Sequence, residues 1–350
     1  MVSVACVMMQ KNETALLEPW LRYHSYLFGF ENLYVFDNGS TLPEVRTTLD
    51  RFESVGVNVD YSKSGPRNFD GKGIVVGNLI KEFQNSGKYD IVLPLDCDEF
   101  VAISNRFGFS CGRREILAEI DRLAAQPCIA RVARCLDNRP GFLNLFRLTD
   151  FRKSIVPVSD FLKVDHGFHE AKTNNHPDMC PTNILYVHMH FRPFSSTQQS
   201  ARDKLEPFVN VDDIEALKNF QGVGKHLPRY FFMTEEEYYS DFGDYRFSVV
   251  QFNGFQNLLS VLMPMEHFME EWCWRPSTVN VVDNHILGRL VVNMDGIFDA
   301  DLYLQAQPDV AKSGMDPVVH YCLFGAREGR ALRPPAERGA PGEQGRQGQS

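Results

Sequence analysis

The stretch YDIVLPLDCDEFV, residues 89–101, places Asp96, Asp98 and Glu99 directly behind the apolar run Ile91, Val92, Leu93 and Leu95. A run of that length predicts a core strand that delivers its C-terminal end, and the carboxylates with it, to the rim of a sheet. In an extended chain Asp96 and Asp98 point to the same side, where like charges repel unless a cation or a donor compensates them. Hard divalent metals take such oxygen ligands. An isolated D-x-D is more often a capped turn than a site, so its surroundings must decide. A second candidate is NILYVHMHF, residues 183–191. Read as a strand, it puts Tyr186, His188 and His190 on one face, so two imidazoles project together. Taken alone, they are ordinary half-buried sheet residues. His24, among apolar neighbours, reads as a core histidine.

The elements that must position these groups alternate regularly at first. VSVACVMM predicts a strand, EPWLRYHSYLFG a helix with Pro19 in its first turn, NLYVFDNGS a strand ending in Asp37, EVRTTLDRFES a helix, VNVDYS a strand and GIVVGNLIKEFQ a helix leading to residue 91. This rhythm implies an α/β fold with a mostly parallel sheet, in which ligands bind beyond the C-terminal strand ends. Asp37 and the Asp96/Asp98 pair fall there, on two different strands. Further on, REILAEIDRLAA predicts a helix, and CIARVARCL and SIVPVSDFLKV predict strands. Residues 200–290 are aromatic-rich and helical in pattern, without a clear order. Residues 296–333 form a smaller unit of two short helices separated by Gly314 and Pro317. Beyond it, 334–350 carries Gly339, Gly342, Gly345 and Gly348 at three-residue spacing. Four collagen-like triplets are too few for a triple helix, so a disordered tail is expected.

Composition narrows the function classes. A formal charge of −9, from 36 basic against 45 acidic residues without a long basic run, argues against a nucleic-acid binder. Eight cysteines without a C-x-x-C pair, several inside apolar runs, read as reduced core residues and favour the cytosol. No stretch has 18 consecutive apolar residues and the N-terminus lacks a basic leader region. A cytoplasmic protein, at most peripheral to a membrane, is the expectation.

The segments MMQKNETALLEPWLRYHSYLFGFENLYVFDNGS, LPLDCDEFV and HFRPFSSTQQSARDK, in this order and spacing, resemble bacterial glycosyltransferases related to family 2, in the branch with D-x-D-E-F after the fourth strand. The likeness covers roughly residues 2–205. Residues 298–330 also resemble a small module appended to bacterial glycosyltransferases. The resemblance implies a Rossmann-like GT-A fold (domain 1–290), a nucleotide-sugar donor, in particular a UDP-sugar, and Mn²⁺ or Mg²⁺. It makes Asp98 the direct metal ligand. Asp96 becomes a ligand of ribose hydroxyls or of a metal-bound water, oriented by Glu99. His190 becomes a third metal ligand, with His188 as its neighbour. Asp37 would take the base or ribose, or simply make an Asx-turn; Glu13 would line the nucleotide pocket, or serve the first turn of a helix.

A diphosphate needs charge compensation, for which Arg67 and Lys72 in SGPRNFDGKG are candidates, as are Arg192 and Lys204. Relatives carry Gln or Asn at the start of the following helix where this chain has GKGIVVGN, which weakens the transfer to Lys72. Inverting transfer also needs a base, and Glu170 in VDHGFHEAKTNNHPDM is the candidate. The three histidines of that segment match no metal-ligand spacing. On this reading the carboxylates of 96–99 await a metal diphosphate as their compensation, and the acceptor is a glycan or a lipid-linked precursor. The competing readings are a metal-dependent phosphoesterase and a non-catalytic interaction protein.

Overall fold

The computed structural model describes residues 2–335 except 127, 140, 177–178, 223, 241–248, 266–290 and 295–297. β1 (Val4–Gln10) is buried at every position, as a strand covered on both faces must be. α1 (Leu17–Phe28) buries Trp20, Leu21, Tyr23, His24, Leu27 and Phe28, and Gly29 ends it at φ 95°, outside the range an L-residue holds comfortably. β2 (Leu33–Asp37), α2 (Pro43–Glu53), β3 (Asn58–Asp60), α3 (Pro66–Asp70), α4 (Lys72–Ser86) and β4 (Ile91–Leu95) continue the alternation. β1 pairs in parallel with β2 and β4, and β2 with β3. The resulting order, β3-β2-β1-β4, is the Rossmann order, and it reverses between β1 and β4.

Residues 96–98 then turn tightly, closed by Glu99 N donating to Asp96 O at 3.1 Å. The chain enters β5 (Glu99–Asn105), β6 (Gly108–Ser110), α5 (Arg113–Ala124), β7 (Ile129–Arg139) and β8 (Phe142–Pro157). β9 (Phe161–Val164) and β10 (Ala171–Thr173) form a separate hairpin, before β11 (Met179–Pro181) and β12 (Ile184–His188). β8 runs antiparallel to both β4 and β7, and β12 lies parallel to β7 and antiparallel to β5. The expected α/β class is therefore present as a parallel Rossmann half flanked by helices, extended by a mixed half.

The remainder is mainly helical: α6 (Phe194–Leu205), α7 (Ile214–Lys218), α8 (Glu235–Ser240), β13 (Val249–Gln251), α9 (Asn253–Leu262), β14 (Val291–Asn293), α10 (Ala300–Ala306), α11 (Pro308–Ser313) and α12 (Pro317–His320). Tyr303, Val310, Val318 and Cys322 join the same apolar core as Trp20, Tyr23 and Phe100, and Ala300 N donates to Arg106 O at 2.8 Å. The C-terminal helices thus pack on the β5–β6 hairpin. The segment 295–297 at the start of the expected small unit, and 336–350 of the expected tail, lie outside the described residues. No helix among the described residues is long and apolar enough to cross a membrane.

Two core features bear on the expectations above. The cysteines are not all reduced: Cys128 and Cys180 form a disulfide, because β11 lies parallel beside the start of β7 and brings residues 52 apart in sequence together. The cytosolic expectation rested on reduced cysteines and loses that support. His24 is a core histidine as read, fully buried, with Nδ1 on Trp20 O at 2.9 Å and its ring stacked on Phe100. Burial pushes its pKa from 6.5 down to about 3. The folded state therefore keeps it neutral while the unfolded chain protonates it, so stability present above pH 6.5 drains away as pH falls towards 3. Compared with wild type, His24→Phe is expected to lose about 3 kcal/mol less between pH 7 and pH 4 in urea unfolding. Parallel pH profiles for the two proteins would reject this role.

Candidate active site

β4 and β1 end side by side at the point where the strand order reverses, so the groups behind Leu95 and Gln10 share one rim. The turn at 96–98 separates the carboxylates instead of aligning them. Asp96 turns to two lysines: its Oδ1 accepts from Lys72 Nζ and its Oδ2 from Lys153 Nζ, both at 2.6 Å. Lys153 also pairs with Glu99 at 2.9 Å, and the Glu99 carboxylate accepts Asp96 N at 2.8 Å. The expectation that Asp96 and Asp98 point to one side, uncompensated by protein, is therefore corrected. It assumed an extended chain, whereas the segment is a turn with buried cations behind it.

Lys153 leaves β8 on its inner face with 1% of its side chain exposed. Burial pulls its pKa down, but Asp96 and Glu99 outweigh that and raise it. Burial would also raise the Asp96 carboxyl, yet Lys153 and Lys72 hold it well below the usual range. Glu99, buried more deeply, is raised by burial against the pull of Lys153. Phe168 covers both ammonium groups, with its ring centre 4.5 Å from Lys72 and 5.1 Å from Lys153. It does so from a left-handed backbone at φ 58°, an uncommon conformation for a bulky residue. Lys72 opens α4, a helix end that disfavours cations, and is held there by Asp96. Gly73 fixes the height of the helix, since a Cβ there would lie 2.6 Å from the Asp165 backbone.

Asp98 faces the other way. Its Oδ2 lies 3.8 Å from His188 Nε2, and Asp98, His188 and His190 each offer a ligand atom within 4.8 Å of the others. His188 ends β12, opposite Glu99 on β5 and Asp137 on β7. Its Nδ1 meets Asp137 Oδ1 at 3.0 Å, and Asp137 also accepts Thr149 Oγ1 at 2.9 Å. Burial works against the charged imidazolium, but Asp137 prevails and raises the His188 pKa well above its ordinary value. β12 ends before His190, so the strand alternation expected for it does not continue. Hydrogen bonds place the segment instead: Met189 N donates to Asp98 O, and Asn138 pairs with both N and O of Phe191, all at 2.8 Å. The His188 and His190 rings end 5.0 Å apart. A second grouping, Cys135 with Asp137, shares His188 with the first.

The other candidates divide. Glu13 accepts Ala15 N and Leu16 N ahead of α1, as its helix-entry reading expects, and pairs with Arg192, which is thereby drawn to the β1 rim. Asp37 accepts Ser40 N at 3.0 Å, three residues on instead of the two of an Asx-turn, and receives Gln10 Nε2 at 2.6 Å. Lys204 on α6 and Arg67 on α3 are exposed and make no ion pair among the described residues. Glu170 is not brought to the site. It is half exposed and pairs with Arg152 at 3.0 Å, and Arg152 precedes Lys153 on β8 and so projects from the opposite face. His166, His169 and His176 of the same segment go to Asp70 O, Arg152 O and Asp160 respectively.

Lys153, Asp137, Gln10 and Phe168 escaped the sequence reading. The only signal for Lys153 and Asp137 was a charged residue at an inward position of an apolar strand.

No family model matches the chain, and no curated protein matches it. Solved structures do, at low likeness. A cytidylyltransferase from Leptospira borgpetersenii serovar Hardjo-bovis has 12% identity over 45% of this chain and 62% of its own, with a TM-score of 0.26. Glucosyl-3-phosphoglycerate synthase from Mycobacterium tuberculosis, in complex with Mn²⁺, UDP and glucosyl-3-phosphoglycerate, has 15% identity over 39% and 44%, at 0.23. S. aureus TarS 1–349 in complex with UDP has 10% over 94% and 93%, at 0.31. The chain thus spans less than two thirds of the first two.

Proposed function

We propose that this chain is a metal-dependent glycosyltransferase moving a sugar from a nucleotide-sugar donor, a UDP-sugar, to a glycan or lipid-linked acceptor. The observation that carries the reading is the convergence of Asp98, His188 and His190 on the rim where the Rossmann half reverses. A carboxylate and two imidazoles suit a divalent ion, and Asp98 with His190 would hold it. Such an ion, when bound, neutralises the diphosphate leaving group as a Lewis acid. The protein's own groups supply the rest. Arg192, positioned by Glu13, and the exposed Lys204 offer cationic donors to phosphate oxygens from the α6 side. Asp96, gripped by Lys72 and Lys153, keeps one lone pair on each oxygen for ribose hydroxyls. Asp37 and Gln10 shape the far end of the pocket, towards the base.

The reading includes inversion at the anomeric carbon. With Glu170 turned to Arg152, the acceptor proton goes to a group other than Glu170.

A thermal-shift screen of UDP, GDP and CMP, each with and without Mn²⁺, tests the reading directly. UDP with Mn²⁺ is expected to raise the midpoint well above either alone. A protein indifferent to all three nucleotides would overturn the transferase reading.

A further inference from the structure

We propose that the acceptor carries a phosphate group, received on the α6 side of the rim by Lys225, His226 and Arg229 beside Lys204. The inference rests on the transferase reading above and deepens it by naming the class of acceptor.

Charge accounting along this side leaves cations over. In a chain of net charge −9, residues 216–234 contain Lys218, Lys225, His226 and Arg229 and no Asp or Glu. The carboxylates just before that stretch are engaged: Glu206 and Asp212 face Arg202 at 3.9 and 3.0 Å, Glu215 takes Lys218 at 2.9 Å, and Asp213 caps α7. Asp203 accepts Gln199 Nε2 at 2.8 Å. Lys204, Lys225, His226 and Arg229 are all exposed and make no ion pair among the described residues.

Packing gathers them. Gly224, at φ 80°, accepts Leu227 N at 2.7 Å and closes a turn ahead of the 3₁₀ segment Leu227–Phe231. Leu227 packs on the cluster of Leu205, Val211 and Leu217, which brings His226 towards Lys204. The charges that act on His226 are accordingly those of Arg229 and Lys204, both positive. Asp98, Arg192 and Glu13 act in turn on Lys204, so the group reaches the site. Arg229 is aimed by Tyr230, whose hydroxyl accepts Nη2 at 2.8 Å and whose ring centre lies 4.7 Å from the guanidinium. Holding like charges together costs free energy unless an anion compensates them. Lys204, the member that Asp98 acts on, serves the donor's diphosphate, and Arg192 is balanced by Glu13. Lys225, His226 and Arg229 are left for a second anion, and the only other substrate of the transfer is the acceptor. A carboxylate offers its oxygens in one plane, which a single guanidinium fork satisfies, whereas donors on three separate side chains match a tetrahedral phosphate.

Isothermal titration of the full chain tests this, first with UDP and Mn²⁺ and then, with both saturating, with glycerol 2-phosphate. Saturable binding of glycerol 2-phosphate is expected, and none of glycerol or acetate. Lys225→Gln and Arg229→Gln should each weaken it about tenfold or more, the loss of one hydrogen bond to a charged group, and leave UDP affinity within about twofold. Both side chains are exposed, so neither change threatens the fold. A protein that binds UDP but treats glycerol 2-phosphate like glycerol, or takes acetate equally well, would overturn the inference and leave the transferase reading standing. Glycerol 2-phosphate that competes with UDP instead of binding beside it would overturn it too, by returning these cations to the donor. A protein that ignores UDP sinks the transferase reading, and this inference with it.

Discussion

Replacing Lys153 by Met is expected to cost about 3–5 kcal/mol of folding stability, the usual penalty for removing one partner of a buried ion pair. The ammonium is 1% exposed and bridges Asp96 and Glu99 at 2.6 and 2.9 Å. Asp96 retains Lys72 after the change, but Glu99, with 2% of its side chain exposed, is left without a cation. Met fills the volume of the Lys stem, so the loss reports on charge and hydrogen bonds and not on a cavity. Adding Glu99→Gln to Lys153→Met should restore much of the loss, because the orphaned charge is then gone. Denaturant unfolding of the wild type, both single variants and the double variant closes the cycle. A cost below about 1 kcal/mol for Lys153→Met would show that the bridge contributes little net stability, as some buried pairs do.

This bridge is also where the sequence was least informative. The parallel half was legible because its strands and helices differ in hydrophobic period and are punctuated by Gly29, Gly56, Gly65 and Gly87, each at positive φ. Nothing comparable marks β5, which starts at Glu99 without a spacer after the turn, nor the first part of β8. There the half-buried Arg147 and Thr149 lie between the buried Phe146 and Leu148, and Lys153 is buried further along the strand, so polar residues sit where an apolar run would announce a strand covered on both faces. Lys153 meets Asp96 across 57 residues, and no local pattern encodes such a pairing. The charge puzzle at 96–99 was therefore visible, but its solution was only half visible: protein cations compensate Asp96 and Glu99, and Asp98 alone is left facing histidines.

The histidines show the same division. Their closeness in sequence was legible, and so was their relation to the D-x-D once the resemblance was drawn, but the strand they were expected to share ends at His188. The choice of His190 over His188 was not legible, because what gives His188 its aim is Asp137, a residue from a neighbouring strand. Glu170 illustrates the converse. Its local company of carboxylates and histidines suggested a polar loop at the site, yet strand alternation at Arg152 and Lys153 sends the two neighbours to opposite faces and carries Glu170 away.

Asp98→Asn is expected to leave the fold intact and to lower Mn²⁺-dependent turnover of a UDP-sugar by about a thousandfold, some 4 kcal/mol of transition-state stabilisation. The side chain is a quarter exposed, and His188 Nε2 is 3.8 Å away, beyond hydrogen-bonding distance. The turn is held by backbone groups that the change does not touch: Met189 N on Asp98 O and Glu99 N on Asp96 O. Asn keeps the shape and one oxygen but loses the charge that would bind the ion and the second oxygen that could accept from water. Folding stability should therefore change by no more than about 0.5 kcal/mol, as for substitutions away from packed contacts. The contrast with Lys153→Met separates the two halves of the carboxylate cluster, since there stability falls first. Measuring donor hydrolysis and denaturant midpoints on both variants decides the matter. Near-wild-type turnover in Asp98→Asn would remove this residue from the chemistry, and a large loss of stability with it would make the turn a structural device.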